Sequence, residues 1–344
     1  MNNIKVIIWG FGAMGRGIAE TLLSKKGVEI VGICDVNPAL KNKKLSEIIN
    51  CSRNSNVLIE EDIDNVLKHE ADIVMLCTDS FVKGAYPKIL KILSKKMNCI
   101  STAEQMAYSW ASEKELSEEI DKVAKKNGVT VLGTGINPGF IMDYLVVALT
   151  GTMTDVNHIE AKRVNSLSPF GPTVMVEQGV GISLEEYKNR VSNNELAGHV
   201  GFLESVNMIA AALGVKLDDF KQQMSPIITD IERKSLYGKA KPGNLAGINM
   251  TGQGFVNGKQ YINMIHPQQI EPEMVGIETG DYINIIGTPN INMSIKPEIN
   301  GGIGTIAMCV NMIPHVINAR AGLKTMIDLP VPRAIMGDMR DMIE

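Results

Sequence analysis

Two groups of residues in this chain have types and spacing suited to chemistry. The first is Gly10-Phe11-Gly12-Ala13-Met14-Gly15, followed by Arg16. It lies between the apolar run Ile4–Trp9 and an amphipathic pattern at Ile18, Leu22 and Leu23. In that setting Gly10 allows a tight turn, Gly12 lets backbone approach a pyrophosphate, and Gly15 lets a helix pack on the strand. The N–H groups opening the helix would face the phosphates. Asp35 comes 20 residues after Gly15, at the end of the apolar run Val28–Cys34. An acid there reaches the adenosine ribose hydroxyls. The second group is Ser101-Thr102-Ala103-Glu104-Gln105, after the run Asn98–Ser101. Placed at the same strand edge and partly desolvated, the Glu104 carboxylate could exchange protons near neutrality. From position alone, a capping or surface glutamate is the competing reading.

The spacing predicts the elements that would hold these groups. Ile4–Trp9, Val28–Cys34, Ile73–Cys77, Asn98–Ser101 and Val129–Leu132 read as strands, with helices over Tyr86–Ser94 and about Glu113 to Lys126. Strands alternating with helices make an α/β domain with a doubly wound parallel sheet, a Rossmann fold. Ligands of such sheets sit beyond the carboxyl ends of the strands. Cys77, Thr78 and Ser80 are therefore cofactor candidates, with helix capping by Asp79 or Ser80 as the alternative. Gly133, Gly135, Pro138 and Gly139 break the pattern. Asn137 and Pro138 there would border the nicotinamide, or form a plain turn between domains, and Thr305 is a further cofactor-side candidate.

Beyond the break, His158–Val164, Asn257–Ile265, Tyr282–Gly287 and Asn292–Ile295 read as extended, with helices over Leu184–Asn193 and Gly198–Leu213. That predicts an α+β second domain for substrate binding and dimerisation. Gly238–Gly258, rich in Gly, Pro and Asn, reads as a loop. A helix over Ile306–Ala319 is expected to return to the first domain. The expected division is 1–138 with 306–344 for the dinucleotide-binding domain and 139–305 for the second, with the cofactor cleft between them. Polar candidates in the second domain are Arg163, Asn165, His199, Glu204, His266, Glu298 and Asn300. Arg163 could clamp a carboxylate with its planar fork. His69 and His158 read as structural or exposed.

Composition excludes several classes. With 344 residues, 34 basic against 38 acidic side chains and no long basic run, nucleic acid is not the expected partner. No apolar run reaches the roughly 18 residues of a membrane helix. The start shows no signal-peptide pattern, so a cytoplasmic location is expected. The five cysteines have no metal-site spacing, and no HExxH motif, nucleophile elbow or P-loop lysine occurs. No metal is expected. Asp35 favours NAD, because a carboxylate repels a 2′-phosphate. Arg16, Lys41, Lys43 and Lys44 leave use of NADP open.

Longer stretches carry a resemblance. VIIWGFGAMGRG, STAEQ, GTGINPGFIMD, GHVGFLES, KPGNLAG, PEINGGIGT and VNMIPHVINARAGLKTMIDLPVPR together resemble the 2,4-diaminopentanoate dehydrogenase family, within the dihydrodipicolinate-reductase-like dehydrogenases. The KxDxPSGT stretch of true dihydrodipicolinate reductases is absent. The resemblance implies an NAD(P)-dependent oxidative deamination in ornithine fermentation. In it, 2,4-diaminopentanoate gives 2-amino-4-oxopentanoate and ammonia. It further implies that Glu104 handles protons and that the chain forms a homodimer through the second domain's sheet. On this reading Arg163 would bind the substrate carboxylate, with Asn165, His199 and His266 lining the pocket. The competing readings are a dehydrogenase of another amino acid or simple amine, and a non-enzymatic nucleotide-binding redox sensor.

Overall fold

The computed structural model describes residues 2–344. The chain forms two units, Met1–Phe140 with Asn300–Glu344, and Ile141–Ile299. The first runs β1 (Ile4–Trp9), α1 (Ala13–Ser24), β2 (Val28–Cys34), the single turn α2 (Leu45–Ile48), β3 (Ile59–Glu60), the single turn α3 (Ile63–Val66), β4 (Ile73–Leu76), α4 (Val82–Ser94), β5 (Asn98–Ser101), α5 (Lys114–Asn127) and β6 (Thr130–Gly133). A 3-10 helix, Glu104–Tyr108, follows β5 directly. The central strands are buried on both faces, as in a parallel sheet with helices on each side. α1 turns Gly15, Ile18, Ala19 and Leu22 inward, the spacing of one helix face. α5 ends at Gly128, whose φ of +72° is the left-handed turn that stops a helix.

The second unit runs α6 (Tyr144–Thr150), β7 (Asp155–Ser166), α7 (Pro172–Glu177), α8 (Leu184–Ser192), α9 (Phe202–Ala212), β8 (Asp219–Ile228), a two-residue pair β9 (Arg233–Lys234) and β10 (Lys239–Ala240), β11 (Leu245–Val256), β12 (Lys259–Gln269), β13 (Gly280–Thr288) and β14 (Ile291–Ile295). Its six-stranded sheet has the order β14-β13-β7-β12-β11-β8. All neighbours are antiparallel except β7 with β12.

β11 corrects the loop expected over Gly238–Gly258. Its glycines are packing positions within a strand. A Cβ on Gly252 would lie 2.8 Å from Phe202 Cβ, and one on Gly254 2.7 Å from Val206 Cγ1, so their absence lets α9 settle on the sheet.

The chain re-enters the first unit as α10 (Gly301–Asn311), α11 (Ile313–Asn318) and β15 (Gly322–Lys324). The helix begins at Gly301 and not at Ile306, because Asn300 Oδ1 accepts the Ile303 N–H at 3.0 Å and caps it. β15 pairs parallel to β6, giving seven parallel strands in the order β15-β6-β5-β4-β1-β2-β3. Among the described residues no helix is long and apolar enough to cross a membrane.

Candidate active site

The loop from β1 to α1 separates three kinds of glycine. Gly10 has φ +95°, and a Cβ there would meet the Cys77 carbonyl oxygen at 2.6 Å. A Cβ on Gly15 would lie 2.0 Å from the Gly10 oxygen. Both are required by the protein's own packing. Gly12, at ordinary φ −74°, is exposed, and a Cβ there would meet nothing within 4 Å. No packing contact calls for glycine at this position, whereas a ligand lying against the backbone would. Ala13 and Met14 open α1, whose first N–H groups have no partners within the helix. These features fit a dinucleotide. We expect Gly12→Val to fold as the parent does and to lose about 1–3 kcal/mol of cofactor affinity through crowding. That is roughly tenfold to a hundredfold weaker NADH binding by fluorescence titration.

Asp35 is held at the end of β2. Its Oδ2 accepts the N–H of the fully buried Phe11 at 2.5 Å and its Oδ1 the N–H of Asn37 at 2.8 Å. Arg16 stays exposed, its Nε donating to the Phe11 carbonyl at 3.1 Å. Lys41 pairs with Glu61 at 2.6 Å, so its charge is already matched. Lys43 and Lys44 are exposed. Val36, 75% exposed beside Asp35, offers apolar surface that sequence reasoning passed over.

At the carboxyl end of β4, burial pushes the Cys77 thiol up to about 12, so it stays protonated. Thr78 donates to Asp79 Oδ2 at 2.5 Å, and Lys88 Nζ reaches the same oxygen at 2.6 Å. Asp79 therefore pairs with Lys88, and α4 starts at Val82 after Phe81, which makes no side-chain cap. The capping comes from elsewhere: Gln105 Oε1 accepts the Val82 N–H at 3.0 Å, while the Gln105 N–H donates to the Ser80 carbonyl at 3.1 Å. This double tie fixes the segment that begins with half-buried Glu104. Gly133 fixes it from the other side, because a Cβ there would lie 2.2 Å from the Met106 carbonyl carbon and oxygen. Asn137 and buried Pro138, joined by a cis peptide, follow β6. The Ile136 N–H donates to Thr305 Oγ1 at 3.2 Å, so the Thr305 hydroxyl holds this loop to α10.

In the second unit, one face of the sheet changes character along its length. Ile262 and Met264 on β12 and Ile159 and Ala161 on β7 are buried. Further along the same faces come His266 and Gln268, then Arg163 and Asn165. His266 Nε2 lies 2.9 Å from Asn165 Oδ1, and the His199 and His266 rings meet edge to face at 4.9 Å. Phe202 packs against His199 at 4.7 Å. Burial, with Arg163 adding repulsion, lowers His199 to about 3. Burial lowers His266 well below its ordinary value, helped by His199 and Arg163.

Both rings are neutral in the folded state and charge more readily when unfolded. Their contribution to stability is complete above about pH 6.5 and falls as pH drops below it, by roughly 1.4 kcal/mol per pH unit per ring until the folded ring itself charges, near pH 3 for His199. We expect unfolding midpoints to fall between pH 7 and 5, and His199→Phe to flatten that dependence.

Arg163 is not the open fork expected from sequence. It is 2% exposed; one terminal nitrogen donates to Asp281 Oδ1 and the other to the Ile299 carbonyl, each at 2.5 Å. Asp281 Oδ2 in turn accepts the Ile299 N–H at 2.9 Å. Two of five donors are thus committed internally. Glu204 is buried on α9, and Glu298 Oε1 accepts the Ser166 N–H at 3.3 Å.

A model of the 2,4-diaminopentanoate dehydrogenase C-terminal domain matches residues 140–344, and one of the dihydrodipicolinate reductase N-terminus matches 4–132. The chain is 57% identical to 2,4-diaminopentanoate dehydrogenase of Acetoanaerobium sticklandii, over 100% of this chain and 98% of that one. The chain belongs to the 2,4-diaminopentanoate dehydrogenase family. More distantly, it is 22% identical to an amine dehydrogenase of Streptomyces virginiae, over 96% of this chain and 98% of that one. The amine dehydrogenase structure from Mycobacterium smegmatis shares the fold, with a TM-score of 0.86 at 24% identity over 98% of each chain.

For this diaminopentanoate dehydrogenase family member, sequence reasoning missed the residues that act on other residues. Gln105 and Gly133 hold the Glu104 segment, and Asp281 holds Arg163. The only local signal was Gln105 standing next to Glu104. Asp281 lies 118 positions from its partner. Among the described residues no three His, Cys, Asp or Glu side chains are grouped to hold a metal ion.

Proposed function

We propose that the protein is an NAD(P)-dependent amine dehydrogenase that deaminates 2,4-diaminopentanoate at C4, giving 2-amino-4-oxopentanoate and ammonia. The observation that carries this reading is a half-buried carboxylate, Glu104, tied at the carboxyl edge of the same sheet whose first loop fits a dinucleotide. Bound at that loop, nicotinamide supplies the two-electron acceptor. The chain's own residues do the rest. Gly10 to Gly15 and Asp35 seat the phosphates and ribose, with Arg16, Cys77, Thr78, Ser80, Asn137 and Pro138 as further contacts. Glu104 takes a proton from the 4-ammonium group, leaving the neutral amine that can be oxidised. Once it has passed that proton to solvent, the carboxylate stabilises the cationic iminium by charge, then takes a proton from the water that attacks it. Asn165, His199 and His266 serve the amino-acid end of the substrate.

Asp35 sets the cofactor preference. A 2′-phosphate beside its carboxylate meets like-charge repulsion of order 1–4 kcal/mol. NAD should therefore be used roughly tenfold or more better than NADP, and Asp35→Ser should narrow that ratio. Equal use of both by the parent would remove Asp35 from this role.

The expected assembly is a homodimer through the second unit's sheet, in a cytoplasmic enzyme of ornithine breakdown. Half-exposed Tyr261, Ile265 and Tyr282 on that sheet support the pairing surface. Activity is tested by a panel of diamino acids, amino acids and simple amines with each cofactor. Turnover confined to simple amines would overturn the substrate assignment.

A further inference from the structure

Beside the two imidazoles lie two glutamines that no motif singled out. Gln178, just after α7, is 6% exposed and donates its Nε2 to the Gly198 carbonyl at 2.7 Å. That bond fixes the amide's orientation, and its Oε1 is buried without a protein partner. Gln268 stands two residues beyond His266 on the same face of β12, in register with Asn165 of β7, and is 8% exposed. Its Nε2 is also buried without a partner, as is Nε2 of His199, which follows Gly198. On the side of Gly198 the surroundings are apolar: a Cβ there would meet Met224 and Met250. A buried polar atom left unpaired destabilises a fold, and here an acceptor and a donor are left so around one pair of rings.

The geometry points to Gln178 and Gln268 as the residues that read the amino-acid head of the substrate, Gln178 Oε1 accepting from the 2-ammonium and Gln268 Nε2 donating to the carboxylate. The head is a zwitterion, with donors at one end and acceptors at the other. Two neutral amides of opposite polarity match it without adding charge beside the Arg163–Asp281 pair. This inference rests on the proposed function and adds the residues that separate a diamino acid from a plain amine.

The test compares the parent with Gln178→Met and Gln268→Met. It measures kcat and KM for 2,4-diaminopentanoate, and the inhibition constant of 2-aminopentanoate, which keeps the head and lacks the reacting amine. We expect KM and the inhibition constant to rise together by about tenfold or more, with kcat within a few-fold. Thermal melting and NADH binding report on folding. If a Met variant is unfolded, Gln178→Asn and Gln268→Asn shorten the reach while keeping polarity, and the same loss is expected. Unchanged KM and inhibition constants in folded variants would overturn the inference. A parent that does not oxidise 2,4-diaminopentanoate yet binds 2-aminopentanoate through these glutamines would instead overturn the functional reading.

Discussion

Glu104→Gln is expected to lower kcat by about 10²- to 10⁴-fold, the usual range for removing a general acid–base group, with NADH affinity unchanged. The amide keeps the size of the carboxylate and takes no proton. The ties through the Gln105 main chain and side chain, and Gly133 against Met106, do not involve the carboxylate and should survive. Both halves of the reaction should suffer, since the same group serves amine deprotonation and water attack. Single-turnover reduction of NAD measures the first half without the second. Full turnover by the variant would remove Glu104 from the chemistry and leave the amine to be deprotonated elsewhere.

Asp281→Ala should destabilise the second unit by about 3–5 kcal/mol, the range for stripping one partner from a buried ion pair. Burial pushes the Asp281 carboxyl above its ordinary range against the pull of Arg163 and the Ile299 N–H. Removing it strands the guanidinium of Arg163, whose side chain is 3% exposed. Denaturant unfolding measures the loss. Replacing both partners by apolar residues, Arg163→Met with Asp281→Leu, should recover much of it, because no buried charge then remains. The double variant also decides what else Arg163 does. If stability returns and KM stays at the parent value, the arginine is structural only. If stability returns and KM rises, its uncommitted donors serve the substrate.

Where the residues themselves declared their environment, the sequence was legible. β1, β2 and β5 begin and end where the sequence reading placed them, because parallel strands buried on both faces are mostly apolar along their length. β11 was hidden because Gly247, Gly252 and Gly254 look like loop residues, while the side chains that make them necessary, such as Phe202 and Val206, lie on α9. β8 was hidden by its polar stretch Lys221-Gln222-Gln223, allowed on an edge strand with one half-solvated face. α10 starts early because Asn300 caps it at Gly301, and Gly304 near its start is a packing position. A Cβ on Gly304 would lie 2.9 Å from Ile136 Cγ1. In the candidate site, glycine spacing and Asp35 could be read locally because the motif spans one turn. The partner of Arg163 could not, because pairing across β7 and β13 has no trace in nearby residues.

The central claim is that the protein oxidises an amine at carbon and releases the nitrogen. It is tested most directly by incubating the parent with 2,4-diaminopentanoate and NAD and following reduced cofactor and ammonia in the same sample. Equimolar formation of NADH, ammonia and 2-amino-4-oxopentanoate is the predicted result. No NADH, or NADH without ammonia, would contradict it.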